Sequence, residues 1–307
     1  MNALSRRWFC VRTLLKVLFP TLFLLAIGLL FLNAPAALGA TTINETDQFA
    51  YGANLGWLAW RGDTEHGAVI GDYVCSGFIY AANVGWINLG GGAPANGIRY
   101  QNDSASDFGV NHDGQGNLRG YAYGANIGWI TFESTGAPKV DLRTGRLSGS
   151  IYSANCGWIS LSNALAAVRT DTLSPGPMDQ NALPLAWELE HFGSTGVDPQ
   201  ADPDRDGASN QQEYLAGTDP LNGADTLAIT SISRSPEGTR TQLTWNSALA
   251  RCYYIQERLG LGTAESWSDS GLGLIGPDGT TTRRTLTEPA APGRFYRLQA
   301  VKEFFSQ

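Results

Sequence analysis

The stretch YGANLGW at residues 51–57 recurs as YAANVGW at 80–86, YGANIGW at 123–129 and YSANCGW at 152–158. This fourfold phrase constrains the fold more than any other feature, because an internal repeat marks a unit that cannot bury its apolar face alone and must be completed by its neighbours. In each copy Asn-x-Gly separates two alternating runs, the pattern of a β-hairpin. Asn tolerates turn dihedrals and bonds its own backbone, while Gly supplies the positive φ that closes a short bulged loop. Gly56, Gly85, Gly128 and Gly157 are therefore expected to be conformationally obligatory.

Period two along the strands sorts the remaining positions. After each turn the chain reads WLAW, WINL, WITF and WISL. Leu58 with Trp60, Ile87 with Leu89, Ile130 with Phe132 and Ile159 with Leu161 fall on one face, together with Ala50, Ile79, Ala122 and Ile151 of the incoming strands. Trp57, Trp86, Trp129 and Trp158 take the other face with Tyr51, Tyr80, Tyr123 and Tyr152. Segments beginning at Val69, Val110 and Val140 each read as strand, turn, strand, so the unit is a three-stranded meander, truncated in the first copy. The four asparagines are spaced by 29, 43 and 29 residues, and the 14 surplus residues of the middle interval fall in the Gly-rich loop 90–107.

The fold class that follows is mainly β, with the repeated meanders forming a β-sandwich or roll over residues 41–161. Eight aromatic side chains on one exposed face would exceed the roughly 300–600 Å² apolar patch usual for a soluble monomer. Two readings remain open: Tyr and Trp pack across strands inside the sandwich or roll, or they form a stacking platform for sugar rings or a partner protein. The phrase also resembles the Gly-Tyr-Ala-Trp and Asn-x-Gly-Trp repeats of secreted bacterial surface proteins, which implies an address more than an activity.

The N-terminus points the same way. Arg6, Arg7, Arg12 and Lys16 precede the apolar run 17–32, and APAALGA follows at 34–40. This reads as a secretory signal over residues 1–40, either cut near Ala40 or retained as a membrane anchor. SRRWF at 5–9 also resembles a twin-arginine export signal. The expected location is extracellular or at the cell surface, with the periplasm as an alternative, and membrane contact only through an uncleaved N-terminal segment. Without residues 1–40 the chain carries 17 basic against 28 acidic residues, a formal net charge of −11. Such a surface repels nucleic acid and attracts cations. Cys75, Cys156 and Cys252 are too few for a disulfide framework. Cys156 replaces Leu55, Val84 and Ile127 of the other copies and reads as a small buried hydrophobe, with a Cys75–Cys156 bridge left open.

Residues 162–183, containing SPGP at 174–177, break the strand pattern and read as a linker. A connector over 184–222 follows. PLAWELEHFG forms a short helix with Pro184 in its first turn and Gly193 past its end. DPDRDGASNQQE at 202–213 then matches the twelve-residue calcium loop. Asp202, Asp204 and Asp206 supply alternating carboxylates, Gly207 permits the sharp turn, Ala208 offers its backbone carbonyl, Asn210 holds the position often bridged by water, and Glu213 can close bidentately. A hard cation wants several oxygens at once, and clustered carboxylates repel one another without it. The first helix ends about ten residues before Asp202, too far for a paired EF-hand, and Ser209 stands where an aliphatic usually bridges. Closed by GTDP, the segment 187–220 resembles the calcium units of thrombospondin type 3 repeats and dockerins. That resemblance implies Ca2+ as a structural cross-link, with Asp198 or Asp219 as further ligands; a dockerin proper would need a cohesin partner and normally a second loop.

From residue 226 to 301 short alternating runs resume in LAITSIS, TQLTWNS, CYYIQERL, TTTRRTL and RFYRLQAV, which argue a small β-sandwich. TWNS, YYIQ and FYRLQAV resemble a fibronectin type III domain, with Trp245 and Ile255 in the core and Tyr296 on a late strand. His66, His112 and His191 lack metal or zincin spacing, with His66 and His112 in expected loops, and no Gly-x-Ser-x-Gly, phosphate loop or dinucleotide fingerprint occurs. Asp72, Asp113 and Asp141 recur where Asp shapes turns. The sequence therefore predicts a non-catalytic, exported, calcium-binding adhesion or scaffold protein with a cell-surface glycan or protein ligand. A carbohydrate-binding module using the Tyr/Trp face is the alternative, and a hydrolase with an unrecognised site the third reading.

Overall fold

The computed structural model describes residues 40–260, 266–287, 293–302 and 304, so the expected signal lies outside the described residues except for Ala40. Among the described residues no helix is long and apolar enough to cross a membrane. The chain is mainly β.

The four phrases form four hairpins: β1 (Ile43–Gly52) with β2 (Gly56–Ala59), β3 (Ser76–Ala81) with β4 (Gly85–Gly91), then, after β5 (Val110–His112), β6 (Leu118–Gly124) with β7 (Gly128–Phe132). After the short strands β8 (Lys139–Val140) and β9 (Leu147–Ser148), β10 (Ser150–Ser153) pairs with β11 (Gly157–Ser160). Neighbouring hairpins are joined edge to edge by β2–β3, β4–β6 and β7–β10. The last hairpin returns to the first, with Tyr51 opposite Ser160 and Gly52 opposite Ile159. The expected sandwich or roll is thus corrected to one antiparallel sheet closed on itself as an eight-stranded barrel. Every hairpin has two open edges, and closure is the arrangement that leaves none.

Alternation puts Ala50, Leu58, Ile79, Ile87, Ala122, Ile130, Ile151 and Ile159 inside, each at most 1% exposed. Trp60, Leu89, Phe132 and Leu161 extend this core away from the tips. At the tip end Leu55, Val84, Ile127 and Cys156 pack on it, and their asparagines form a circuit. Asn83 Nδ2 donates to Leu55 O, Asn126 to Val84 O and Asn155 to Ile127 O, each at 3.0 Å, and Asn54 closes the ring on Cys156 O at 3.1 Å. Gly56, Gly85, Gly128 and Gly157 have φ of 71–79°, a region that L side chains enter only at a cost.

At the other end the arms pair in sequence: Val74 bridges Asn111, Asn117 bridges Lys139, and Arg146 bridges Arg169. β12 (Val168–Thr170), inside the expected linker, pairs with the first half of β1. Three residues are too few to show a period. Cys75 and Cys156 are not bridged to each other: Cys75 precedes β3 at the arm end while Cys156 sits in a tip, so the barrel separates them.

Beyond β12, α1 (Leu185–Phe192) is capped by Gly193 at φ 67°. α2 (Asn210–Ala216) begins with a reciprocal Ser209–Gln212 capping box and ends at Gly217, φ 77°. Trp187 and Tyr214 join the helices edge to face, over Leu183 and against Tyr73 of a barrel arm. The C-terminal strands are β13 (Ile229–Arg234), β14 (Arg240–Asn246), β15 (Cys252–Arg258), β16 (Ser268–Asp269), β17 (Thr281–Thr287) and β18 (Phe295–Val301). They form two three-stranded sheets, β13-β14-β17 and β16-β15-β18. Leu243, Trp245, Tyr253, Ile255, Ile275 and Leu286 fill the core. α2 is wedged between both β regions. Arg251 donates from Nε to Leu215 O at 2.7 Å and from Nη2 to Tyr214 O at 2.8 Å, while Lys302 pairs with Asp72 of a barrel arm and donates to Tyr214 Oη at 2.9 Å.

Candidate functional site

The loop 202–213 coils because its own carboxylates fold the backbone around them. Asp202 accepts from Arg205 N at 2.7 Å through Oδ1 and from Gly207 N at 3.0 Å through Oδ2. Asp204 Oδ1 accepts from Asp206 N at 3.2 Å, and Asp206 Oδ1 from Ala208 N at 2.7 Å. Arg205 (φ 65°) and Gly207 (φ 97°) are left-handed, which tightens the turn. One oxygen from each of Asp202, Asp204 and Asp206 lies within 4.8 Å of the others.

α2 delivers the remaining predicted ligands. Asn210 is 1% exposed and Glu213 is fully buried. Asn210 Nδ2 donates to Asp198 O at 2.8 Å, which spends the amide nitrogen and leaves Oδ1 for the loop. Thr218 Oγ1, from the GTDP turn, reaches Glu213 Oε1 at 3.4 Å. Among the described residues Asp204 Oδ2, Asp206 Oδ2, Asn210 Oδ1 and Glu213 Oε2 are buried without a hydrogen-bond partner. Buried polar oxygens are costly when unpaired, and four acceptors with no donor among them fit a hard cation. Burial, followed by the charges of Asp204 and Asp206, pushes the Glu213 carboxyl up to about 7. Asp204 is raised by desolvation and by its neighbours Asp206 and Asp202.

A second buried carboxylate provides the control. Glu188 on α1 is also fully buried, but it accepts from Asn181 Nδ2 at 2.7 Å, Val197 N at 2.9 Å and Gly196 N at 3.2 Å. Its valence is spent on the turn after α1. Asp198 Oδ1 accepts from Gln200 N at 2.9 Å, and Asp219 pairs with His191. The motif did not point to Thr218 or to the Asp198 carbonyl; the GTDP turn is the only trace of the former.

On the barrel, Trp57, Trp86, Trp129 and Trp158 are 45–48% exposed on the outer wall and their tyrosines 37–40%. Of the two arrangements left open by the sequence, burial inside a sandwich is not the one found, because closure turns the aliphatic face inward and spreads the aromatic face around the circumference. The cross-strand pairing itself is present, each Tyr–Trp pair having ring centroids 4.9–5.0 Å apart. Phe49, Phe78 and Tyr121 add a second ring beside Trp57, Trp86 and Trp129 at 6.0–6.3 Å. The fourth copy has Ser150 there, and the turn around Gly136 closes on Trp158 instead.

His112 lies in β5 instead of a loop. It is buried, donating from Nδ1 to Gly71 O at 2.9 Å and accepting from Gly116 N through Nε2 at 3.1 Å. Burial lowers its pKa, so it acts as a neutral strut. Comparison with protein-family models, curated proteins and solved structures finds no match.

Proposed function

We propose that this is an exported, non-catalytic, calcium-binding adhesion or scaffold protein. In this reading Asp202, Asp204, Asp206, Asn210 and Glu213, with the Ala208 carbonyl, hold Ca2+ as a structural cross-link. The observation that carries it is the set of four buried oxygens without partners, two in the loop and two on a helix whose far end is clamped by Arg251 and Lys302. Bound metal would fix α2, and through it the seam between the barrel and the C-terminal region, whose two three-stranded antiparallel sheets, β13-β14-β17 and β16-β15-β18, support the fibronectin-like resemblance. Calorimetric titration of the exported chain with Ca2+ tests the reading: binding heat is expected, absent in Asp204→Ala, and its absence in the unaltered chain refutes the site.

A second reading is favoured by the half-exposed Trp and Tyr of the outer wall: the barrel is a carbohydrate-binding module. Exposed indoles present a flat apolar surface with a polar edge, suited to a sugar ring. Screening the exported chain against a glycan panel tests it, and the two readings are compatible.

A further inference from the structure

The third hairpin differs from the other three, because the 14 surplus residues of the repeat fold back beside its tryptophan alone. Asn102, Asp103, Ser104, Ala105, Phe108, Tyr121 and Trp129 line an open surface hollow of about 440 Å³. We propose that this hollow is the sugar subsite of the barrel, taking one neutral pyranose ring with part of its neighbour in a glycan. The proposal rests on the carbohydrate-binding reading and deepens it.

The base of the wall is held by its own hydrogen bonds. Asp107 is buried and its carboxylate accepts from Ala95 N and Gln101 N, each at 3.0 Å. Tyr100 packs over Gly90 and Gly109, where any Cβ would collide with its ring, and its hydroxyl accepts from Gly92 N at 2.6 Å. Asn102 sits in the left-handed region at φ 59°, held by its amide on Asp107 O at 3.0 Å and by Gly109 N on its Oδ1 at 2.9 Å. A non-glycine residue kept in that conformation carries strain that its surroundings offset. Here the result is a loop segment 103–105 standing exposed opposite Trp129.

The chemistry on the two sides is complementary in the way a pyranose requires. Phe108 meets Trp129 edge-on at 5.1 Å and Tyr121 flanks it, giving an aromatic floor for the C–H face of a sugar. Asp103 and Ser104 are exposed at the rim, offering a carboxylate and a hydroxyl to ring hydroxyls. The volume lies in the range of small-molecule sites, roughly 300–1,000 Å³. The rim carboxylate, on a chain with net charge −11 after the signal, selects against acidic sugars. The intervals leading to Trp86 and Trp158 lack the 14 surplus residues, and the turn around Gly136 lies beside the Trp158 ring.

Calorimetry of the calcium-loaded exported chain with cellohexaose, xylohexaose and mannohexaose tests the assignment. At least one is expected to bind, with Trp129→Ala and Asp103→Asn each weakening affinity about tenfold, Ala105→Trp blocking the hollow, and Trp86→Ala, on the wall outside the hollow, weakening it less than Trp129→Ala does. Asp103 and Ala105 are exposed, so these two variants should melt like the parent and any loss is not unfolding. Equal loss from Trp86→Ala and Trp129→Ala would overturn the location while leaving the wall as a sugar surface. No binding of any of the three to the unaltered chain would overturn both.

Discussion

The hairpin tips and the aspartate loop are both turns built from short polar side chains, and they end in opposite states. At the tips Asn83, Asn126 and Asn155 each find a carbonyl of the preceding hairpin, and Asn54 of the first hairpin finds that of the last, so the circuit closes within the protein. In the loop each of Asp204 and Asp206 spends one oxygen on a backbone N–H and leaves the other buried and unpaired. A repeated polar group that satisfies itself is structure. A cluster of acceptors without donors, by contrast, points to something cationic from outside.

The largest predicted effect tests the open half of that contrast. Saturating calcium at 100 to 1,000 times its dissociation constant should stabilise the chain by about 2.7–4.1 kcal/mol, read as a rise in melting temperature that a chelator reverses. Asp204→Ala should abolish the rise. Asn126→Ala, which opens the tip circuit, should leave it intact. A calcium response surviving in Asp204→Ala would place the metal elsewhere.

The next effect concerns the far end of α2. Arg251 caps carbonyls that a helix terminus otherwise leaves orphaned, and its hydrogen bonds are charge-assisted, worth about 1.5–3 kcal/mol. Arg251→Met should cost about that much, and because Glu213 rides on the same helix it should also weaken calcium binding. Unchanged calcium affinity in a destabilised Arg251→Met would show that the loop holds its ligands without help from the C-terminal sheets.

Much of this was legible in the sequence. The hairpins, the division into an aliphatic and an aromatic face, five of the six C-terminal strands and both helix ends follow from period and punctuation. Closure was not, because pairing of Tyr51 with Ser160 is a long-range contact that no local pattern encodes. β12, at three residues, is too short to show a period. In the loop, residue spacing named the acidic cluster, but only coordinates distinguish Glu213 from Glu188, since both are helical glutamates and the difference lies in which N–H groups happen to reach them.

That difference has a pH signature. In metal-free protein the Glu213 carboxyl, at about 7 against an ordinary 4.5, favours the protonated fold. Its contribution is full below 4.5 and lost as pH rises through about 7. Asp204 shifts in the same direction. Calcium-free melting temperatures should therefore fall with rising pH across that window, and Glu213→Gln should flatten the trend. With calcium present the slope should reverse, since protons compete with the ion for the same oxygens. A calcium-free profile unaffected by Glu213→Gln would assign the pH dependence to other groups.

The smallest effect belongs to the closed half. Asn126→Ala removes one hydrogen bond at a solvent-exposed tip, where water can replace the lost donor on Val84 O, so the cost should lie near the low end of about 0.5–1.5 kcal/mol. The informative measurement is coupling. Asn54 and Asn126 belong to the first and third hairpins and bond to the fourth and second, so they share no partner, and their double variant should be additive within about 0.3–0.5 kcal/mol. Asn83 and Asn126 both depend on the second tip, which carries Asn83 and presents Val84 O. Losing both frees that tip on its two sides, and the double variant should deviate from additivity. If adjacent and opposite pairs behave alike in denaturant unfolding, the ring is four independent turns, and self-satisfaction at the tips is a local property of each hairpin with no role in closing the barrel.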